Sequence, residues 1–235
     1  MLTFTSISTG LTSLFYFLAG FTALRAWLKN KYNLSGYFVI FLLAFGFQQM
    51  FFSLASGSVS LDAKVNVWLW AIAHLFMFIS LCYFIRVPLK MSFPRLEKLI
   101  FKASLLYSAI GLAVLFMNAP QVTAQLEANG VYLFKVPLMS TLVIVIFTTL
   151  TMVFSAATLL KAFFKNELSL VYRLRGLILG AGMIVYLTSG PAHNLIRSPK
   201  GTILVDALLI LAGLLFIIGV FLPKIIKDKE APASH

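Results

Sequence analysis

Seven apolar runs, each 20 to 25 residues long, fill most of this chain. They cover residues 6–27, 35–56, 65–85, 99–118, 136–160, 174–195 and 202–222. A helix rises about 1.5 Å per residue, so about 20 residues cross the hydrocarbon core of a bilayer. In lipid, every backbone N–H and C=O must find its partner within the protein, and a helix achieves this one segment at a time. The runs therefore predict an all-α integral membrane protein. It has seven transmembrane helices in a single domain, residues 1–226, and a short polar tail, residues 227–235. The chain has 235 residues, 60% of them hydrophobic. Once seven spans are placed, no length remains for a separate catalytic or DNA-binding domain.

The net charge of +12 would suit nucleic acid if the cations formed one patch, but they alternate along the chain. Arg25, Lys29 and Lys31 follow the first run. Arg86, Lys90, Arg95, Lys98 and Lys102 follow the third. Lys161, Lys165, Arg173 and Arg175 follow the fifth, and Lys224, Lys227 and Lys229 follow the seventh. The opposite side holds only Lys64, Lys135, Arg197 and Lys200. Basic loops stay cytoplasmic, so the N-terminus is expected outside and the C-terminus in the cytoplasm. The expected setting is the cell (inner) membrane, with the lipid bilayer as partner and no nucleic acid. The first run lacks a basic leader and a small-residue cleavage site, so it reads as a retained span. A single cysteine, Cys82, excludes an internal disulfide and reads as a buried structural residue.

The loop from Asn118 to Lys135 is the longest on the outer side. Asn129-Gly130 signals a turn, and residues 121–127 are expected to form an interfacial helix. The tail after Lys227, including His235, carries no site.

Ionisable and strongly polar side chains at membrane depth are costly and mark functional positions. Few occur here. His74 lies ten positions past Lys64, about 15 Å below the outer surface and close to the bilayer centre. Gln48 and Gln49 sit at a similar depth. Asp206 is about 9 Å deep and His193 about 6 Å deep. All five fall in the extracytoplasmic half or at the centre, which predicts a polar funnel opening outward. Two stripes at helical spacing support it: Trp70, Ala71, His74, Met77 and Phe78 in the third run, and Met183, Tyr186, Gly190, His193 and Arg197 in the sixth. Pro191 is expected to free a carbonyl near the site. Plainer roles exist for each. His74 and the glutamines would serve as interhelical hydrogen bonds, and Asp206 as a helix-start charge paired with Arg197 or Lys200.

Three chemistries fit these residue types. Two imidazoles, His74 and His193, can clamp haem b from opposite faces. Gly190 and Tyr186 would then lie beside the ring, and Arg197 and Lys200 would reach its propionates. The estimated depths of the two histidines differ by about 9 Å, whereas each ligating nitrogen must lie about 2 Å from one metal. Alternatively, His74, His193 and Asp206 form a two-histidine, one-carboxylate set suited to zinc in an intramembrane hydrolase. That set comes without an HExxH pair or a second acid. The third chemistry is a small-molecule or ion site in a sensor or transporter, although no internal repeat of the transporter kind is visible. The expectation is a membrane-embedded ligand- or haem-binding module for redox or sensory work. Transport and metal-dependent hydrolysis are the alternatives. Its short cytoplasmic loops would need a membrane or cytoplasmic protein partner to carry any signal.

Overall fold

The structure is a computed structural model, and it describes residues 3–57, 62–127, 131–193, 195–196 and 198–225. The elements in chain order are α1 (Phe4–Asn30), α2 (Asn33–Gly57), α3 (Ala63–Phe84), α4 (Arg86–Ser92), α5 (Glu97–Asn118), β1 (Thr123–Leu126), β2 (Tyr132–Lys135), α6 (Leu138–Phe163), α7 (Leu170–His193) and α8 (Pro199–Ile225). About 85% of the structure is helical. Seven helices are long and apolar enough to span a membrane, with α4 continuing α3 after a turn at Ile85. Every expected span is found, with its ends within four residues of the predicted ones. The expected tail, 227–235, lies outside the described residues, as do Asn129 and Gly130.

The helices pack in a nearly closed ring. α1 lies between α2 and α8, α2 packs on α3, and α6, α7 and α8 follow in order. α3 meets α6 thinly, and α5 lies outside this pair. α5 turns Leu99, Leu106 and Ile110 outward, as a helix does when one side faces hydrocarbon.

α1 shows how such a helix packs without a hydrophobic gradient between protein and lipid. Its buried stripe is Thr5, Ser6, Ser8, Thr9, Thr12 and Ser13, continued by Tyr16, Ala19 and Gly20. Small side chains let two backbones approach closely, and hydroxyls link them. Ser13 donates to the Gly46 carbonyl of α2 at 2.9 Å, and Ser53 of α2 donates to the Ser6 carbonyl at 2.8 Å. Thr3 caps α1 by accepting from the Ser6 amide, and its hydroxyl donates to the Ser56 carbonyl at 2.8 Å. These bonds fix the first turn of α1 against the last turn of α2.

At the opposite end, the Arg86 guanidinium lies between the rings of Tyr37 and Phe101, 3.8 and 4.2 Å from their centroids. It also pairs with Glu97, which is buried. One cation thereby ties α2, the α3–α4 turn and α5 together.

The expected helix at 121–127 is replaced by strand. Gln121 ends a short 3-10 turn, and Thr123–Leu126 pairs antiparallel with Tyr132–Lys135, Thr123 opposite Lys135 and Leu126 opposite Tyr132. An isolated helix of seven residues cannot repay its nucleation cost. The β-branched Val122 and Thr123 suit a strand, and Tyr132 and Leu133 of the second strand are buried together with Val131 just before it. A lone two-stranded hairpin is marginal in water. This one is anchored: Asn66 donates to the Tyr132 hydroxyl at 2.7 Å, and the Tyr132 amide donates to Thr5 Oγ1 at 3.3 Å. The hairpin covers the end of the bundle that carries the N-terminus.

Candidate ligand cavity

Beneath the hairpin, α1, α2, α3, α6, α7 and α8 converge on one cavity. Its polar wall comes from Thr5 and Thr9 of α1, Gln48, Gln49 and Ser56 of α2, His74 of α3, Thr148 of α6 and Tyr186 of α7. Its apolar wall includes Phe52, Trp70, Met77 and, from the hairpin, Phe134. Ile144, Gly190, Pro191 and Leu209 complete it. The space open to the centres of water molecules is about 50 Å³.

His74 is buried, and its Nδ1 lies 2.9 Å from the Trp70 carbonyl, one turn earlier on α3. A carbonyl only accepts, so Nδ1 carries the proton and donates. In the neutral ring, Nε2 is then an acceptor. The ring is held by Trp70, at 4.3 Å between centroids, and edge-on by Phe52 at 5.2 Å. Rotamer and tautomer are therefore both set by neighbours, which is how a recognition group is preorganised.

Gln48 and Gln49 are 3% and 2% exposed, and the Oε1 atom of each is buried with no hydrogen-bond partner among the described residues. Most buried polar atoms in folded proteins are satisfied. An orphaned carbonyl in low dielectric costs about 1–3 kcal/mol, and here the two side chains that carry them line one cavity. The Gln48 amide lies within hydrogen-bonding reach of the Tyr186 phenol. Tyr186 packs edge-on against Phe45 at 4.7 Å.

Behind Tyr186 the packing is aromatic, beginning with Phe45. Tyr16 lies 4.8 Å from Phe45 and 5.4 Å from Phe216, and Phe41 lies 4.2 Å from Phe84. All of these rings are fully buried.

No protein family, curated protein or solved structure matches this chain. The site must be read from its own residues.

The structure brings together eight of the residues singled out from sequence: His74, Trp70, Met77, Gln48, Gln49, Tyr186, Gly190 and Pro191. Gly190 has a different neighbour from the one expected. A Cβ there would lie 2.7 Å from Tyr186 Cζ, so its open side is filled by the Tyr186 ring rather than offered to a porphyrin. Pro191 lies inside α7 and in the cavity wall. Asp206 is fully buried on α8 one turn before Leu209, but it does not line the cavity. The His193 side chain and Arg197 lie outside the described residues. Among the described residues, no group of three His, Cys, Asp or Glu could hold a metal. Cys82 is buried, as expected, with Sγ 3.0 Å from the Ser108 hydroxyl.

Sequence reasoning missed Thr5, Thr9 and Thr148. The first two sit one turn apart in a run whose buried face is hydroxylic, and that i, i+4 spacing was the available signal. Phe52 and Phe134 gave none, because neither differs from the many phenylalanines that face lipid or core.

Proposed function

We propose that this protein is a membrane-embedded receptor that takes up a small uncharged molecule in its extracytoplasmic half and serves a sensory role. The carrying observation is that Gln48 and Gln49, each with an unpartnered carbonyl among the described residues, share one cavity wall with the oriented ring of His74. A ligand that donates to them would offset both costs at once. The distribution of basic residues supports placing the N-terminus and hairpin outside, in the cell (inner) membrane.

The sequence shows no internal repeat of the transporter kind, which favours binding over passage across the membrane. Haem b fits less well. A cavity of about 50 Å³ holds a few waters, and a porphyrin would require the helices to part. His74 is its one histidine donor among the described residues. A zinc hydrolase would rest on His193 together with Asp206, and Asp206 stands outside the cavity wall. The short loops support a protein partner for signal output, docking on the basic inner surface.

The test is chemical access. In a Cys82→Ser background, Thr148→Cys should react with methyl methanethiosulfonate added to protein in lipid nanodiscs. Ala212→Cys, equally buried but away from the cavity, should stay unreactive. Equal reactivity at the two positions, or none at Thr148→Cys, would remove the basis for a binding role.

A further inference from the structure

A second opening lies between α5 and α6, apart from the ligand cavity. The two helices touch in their outer halves. Asn118 donates to the Ser140 hydroxyl at 3.3 Å, the Tyr107 hydroxyl donates to the Val143 carbonyl at 3.1 Å, and the Tyr107 and Phe147 rings stack at 5.1 Å. Farther in, a groove lies between them. Leu96 and Ile100 line it at the start of α5, Phe154 on α6, and Ile85, Leu89 and Phe93 along α4 and its two ends. Among the described residues its lining is wholly apolar. About 260 Å³ of it is open to the centres of water molecules, room for about twenty of them at roughly 10–15 Å³ each.

One contact sets its depth. Thr148 on α6 touches the Met77 sulfur on α3 at 3.8 Å, and both helices run inward from there. At about 1.5 Å per residue, Ile85 lies about 12 Å and Phe154 about 9 Å farther in. The groove therefore sits in the inner half of the bundle. Phe93 and Leu96 at its edge are 51% and 46% exposed, so it opens toward lipid. An apolar groove at that place takes hydrocarbon in preference to water.

Cations stand at its inner end. Arg95 directly precedes Leu96 and is exposed. Lys161, also exposed, lies two turns past Phe154 on the same stripe of α6, about 10 Å closer to the inner surface. Glu97 does not neutralise Arg95, because it is buried against Arg86. The exposed Glu167, in the connection after α6, is outnumbered by the further exposed cations Lys98 and Lys165.

We infer that the groove holds an acyl chain of an anionic phospholipid of the inner leaflet, whose phosphate lies between Arg95 and Lys161. The chain takes the place of the side chains that are missing between α5 and α6 at this depth. The cations select the headgroup, and each basic residue near a membrane surface adds about fivefold in affinity for anionic lipid.

Phosphatidylcholine offers the same chains and phosphate but a compensating cation, so it separates the two contributions. The intact protein in mild detergent is given equal amounts of dioleoyl-phosphatidylglycerol and dioleoyl-phosphatidylcholine, and native mass spectrometry counts the lipid that stays bound. The expected result is one retained lipid per protein, with phosphatidylglycerol favoured by about tenfold or more. Arg95→Gln combined with Lys161→Gln should abolish that preference. Leu96→Trp fills the groove from its exposed edge and should lose most of both lipids. Arg25→Gln combined with Lys29→Gln removes two exposed cations from the inner end of α1, which packs on α2 and α8, and should leave the preference unchanged. Equal retention of the two lipids would overturn the anionic assignment. An equal fall in preference for both cation pairs would reduce it to diffuse charge attraction, and retention untouched by Leu96→Trp would remove the groove as the site.

Discussion

His74 donates from Nδ1 to the Trp70 carbonyl one turn back on the same helix, at 2.9 Å, while the Trp70 ring packs on its face at 4.3 Å. The same residue thus fixes the tautomer and the orientation of the imidazole. A histidine used only to join helices would have sent that donor to another helix. The local bond leaves the far nitrogen for whatever occupies the cavity.

His74→Leu and His74→Ala should therefore part company. Leucine fills about the same volume and removes the acceptor, so ligand response should vanish with little change in thermal stability. Alanine also leaves a void between Phe52 and Trp70, and such truncations cost about 2–4 kcal/mol. Thermal unfolding of both variants in nanodiscs, without ligand, checks the difference.

Gln49→Leu should stabilise the empty protein. It removes a buried carbonyl that has no partner among the described residues, and the gain should be about 1 kcal/mol, the lower end of the desolvation penalty. A higher melting temperature combined with lost binding is the signature of a site that trades stability for function. A lower melting temperature would mean that Gln49 is interhelical glue.

Gly190→Ala should be destabilising by about 1–3 kcal/mol, the usual cost of overpacking. The new methyl group would meet Tyr186 Cζ at 2.7 Å, and the ring cannot retreat because Phe45 backs it. Tyr186→Leu should relieve the clash. A double-mutant cycle should therefore show strong coupling, with Gly190→Ala nearly harmless in the Tyr186→Leu background.

Arg86→Gln should cost about 3–5 kcal/mol, because it strands a buried carboxylate at Glu97. Arg86→Gln with Glu97→Gln should recover part of that loss. Full recovery is not expected, since the guanidinium also stacks between Tyr37 and Phe101. Equilibrium unfolding of the three variants measures both effects.

Span number and limits were legible because apolar length is a one-dimensional signal, read directly from runs such as 136–160. Gln48, Gln49 and His74 meet because equal depth on adjoining helices is nearly the same as proximity. What the runs could not show was which residues cross between elements. Phe134 reaches the site only because a hairpin folds back over the bundle. That hairpin was misread because residues 121–127 have helix-compatible polar spacing, and the strand partner that decides the matter lies beyond the turn. Gly190 was placed correctly, but its filled side depended on the rotamer of Tyr186, which no sequence pattern encodes. Asp206 lies one turn from Leu209 on α8 and still does not line the cavity, because a shared helix face does not fix how far along the helix a cavity extends.

The most direct test of the binding cavity is a high-resolution density map of the protein purified gently from its native membrane. The account predicts ordered non-protein density beneath the hairpin, within hydrogen-bonding distance of Gln48 Oε1, Gln49 Oε1 and His74 Nε2 together. A map in which both glutamine carbonyls turn to protein donors, with the cavity collapsed or empty, would contradict it.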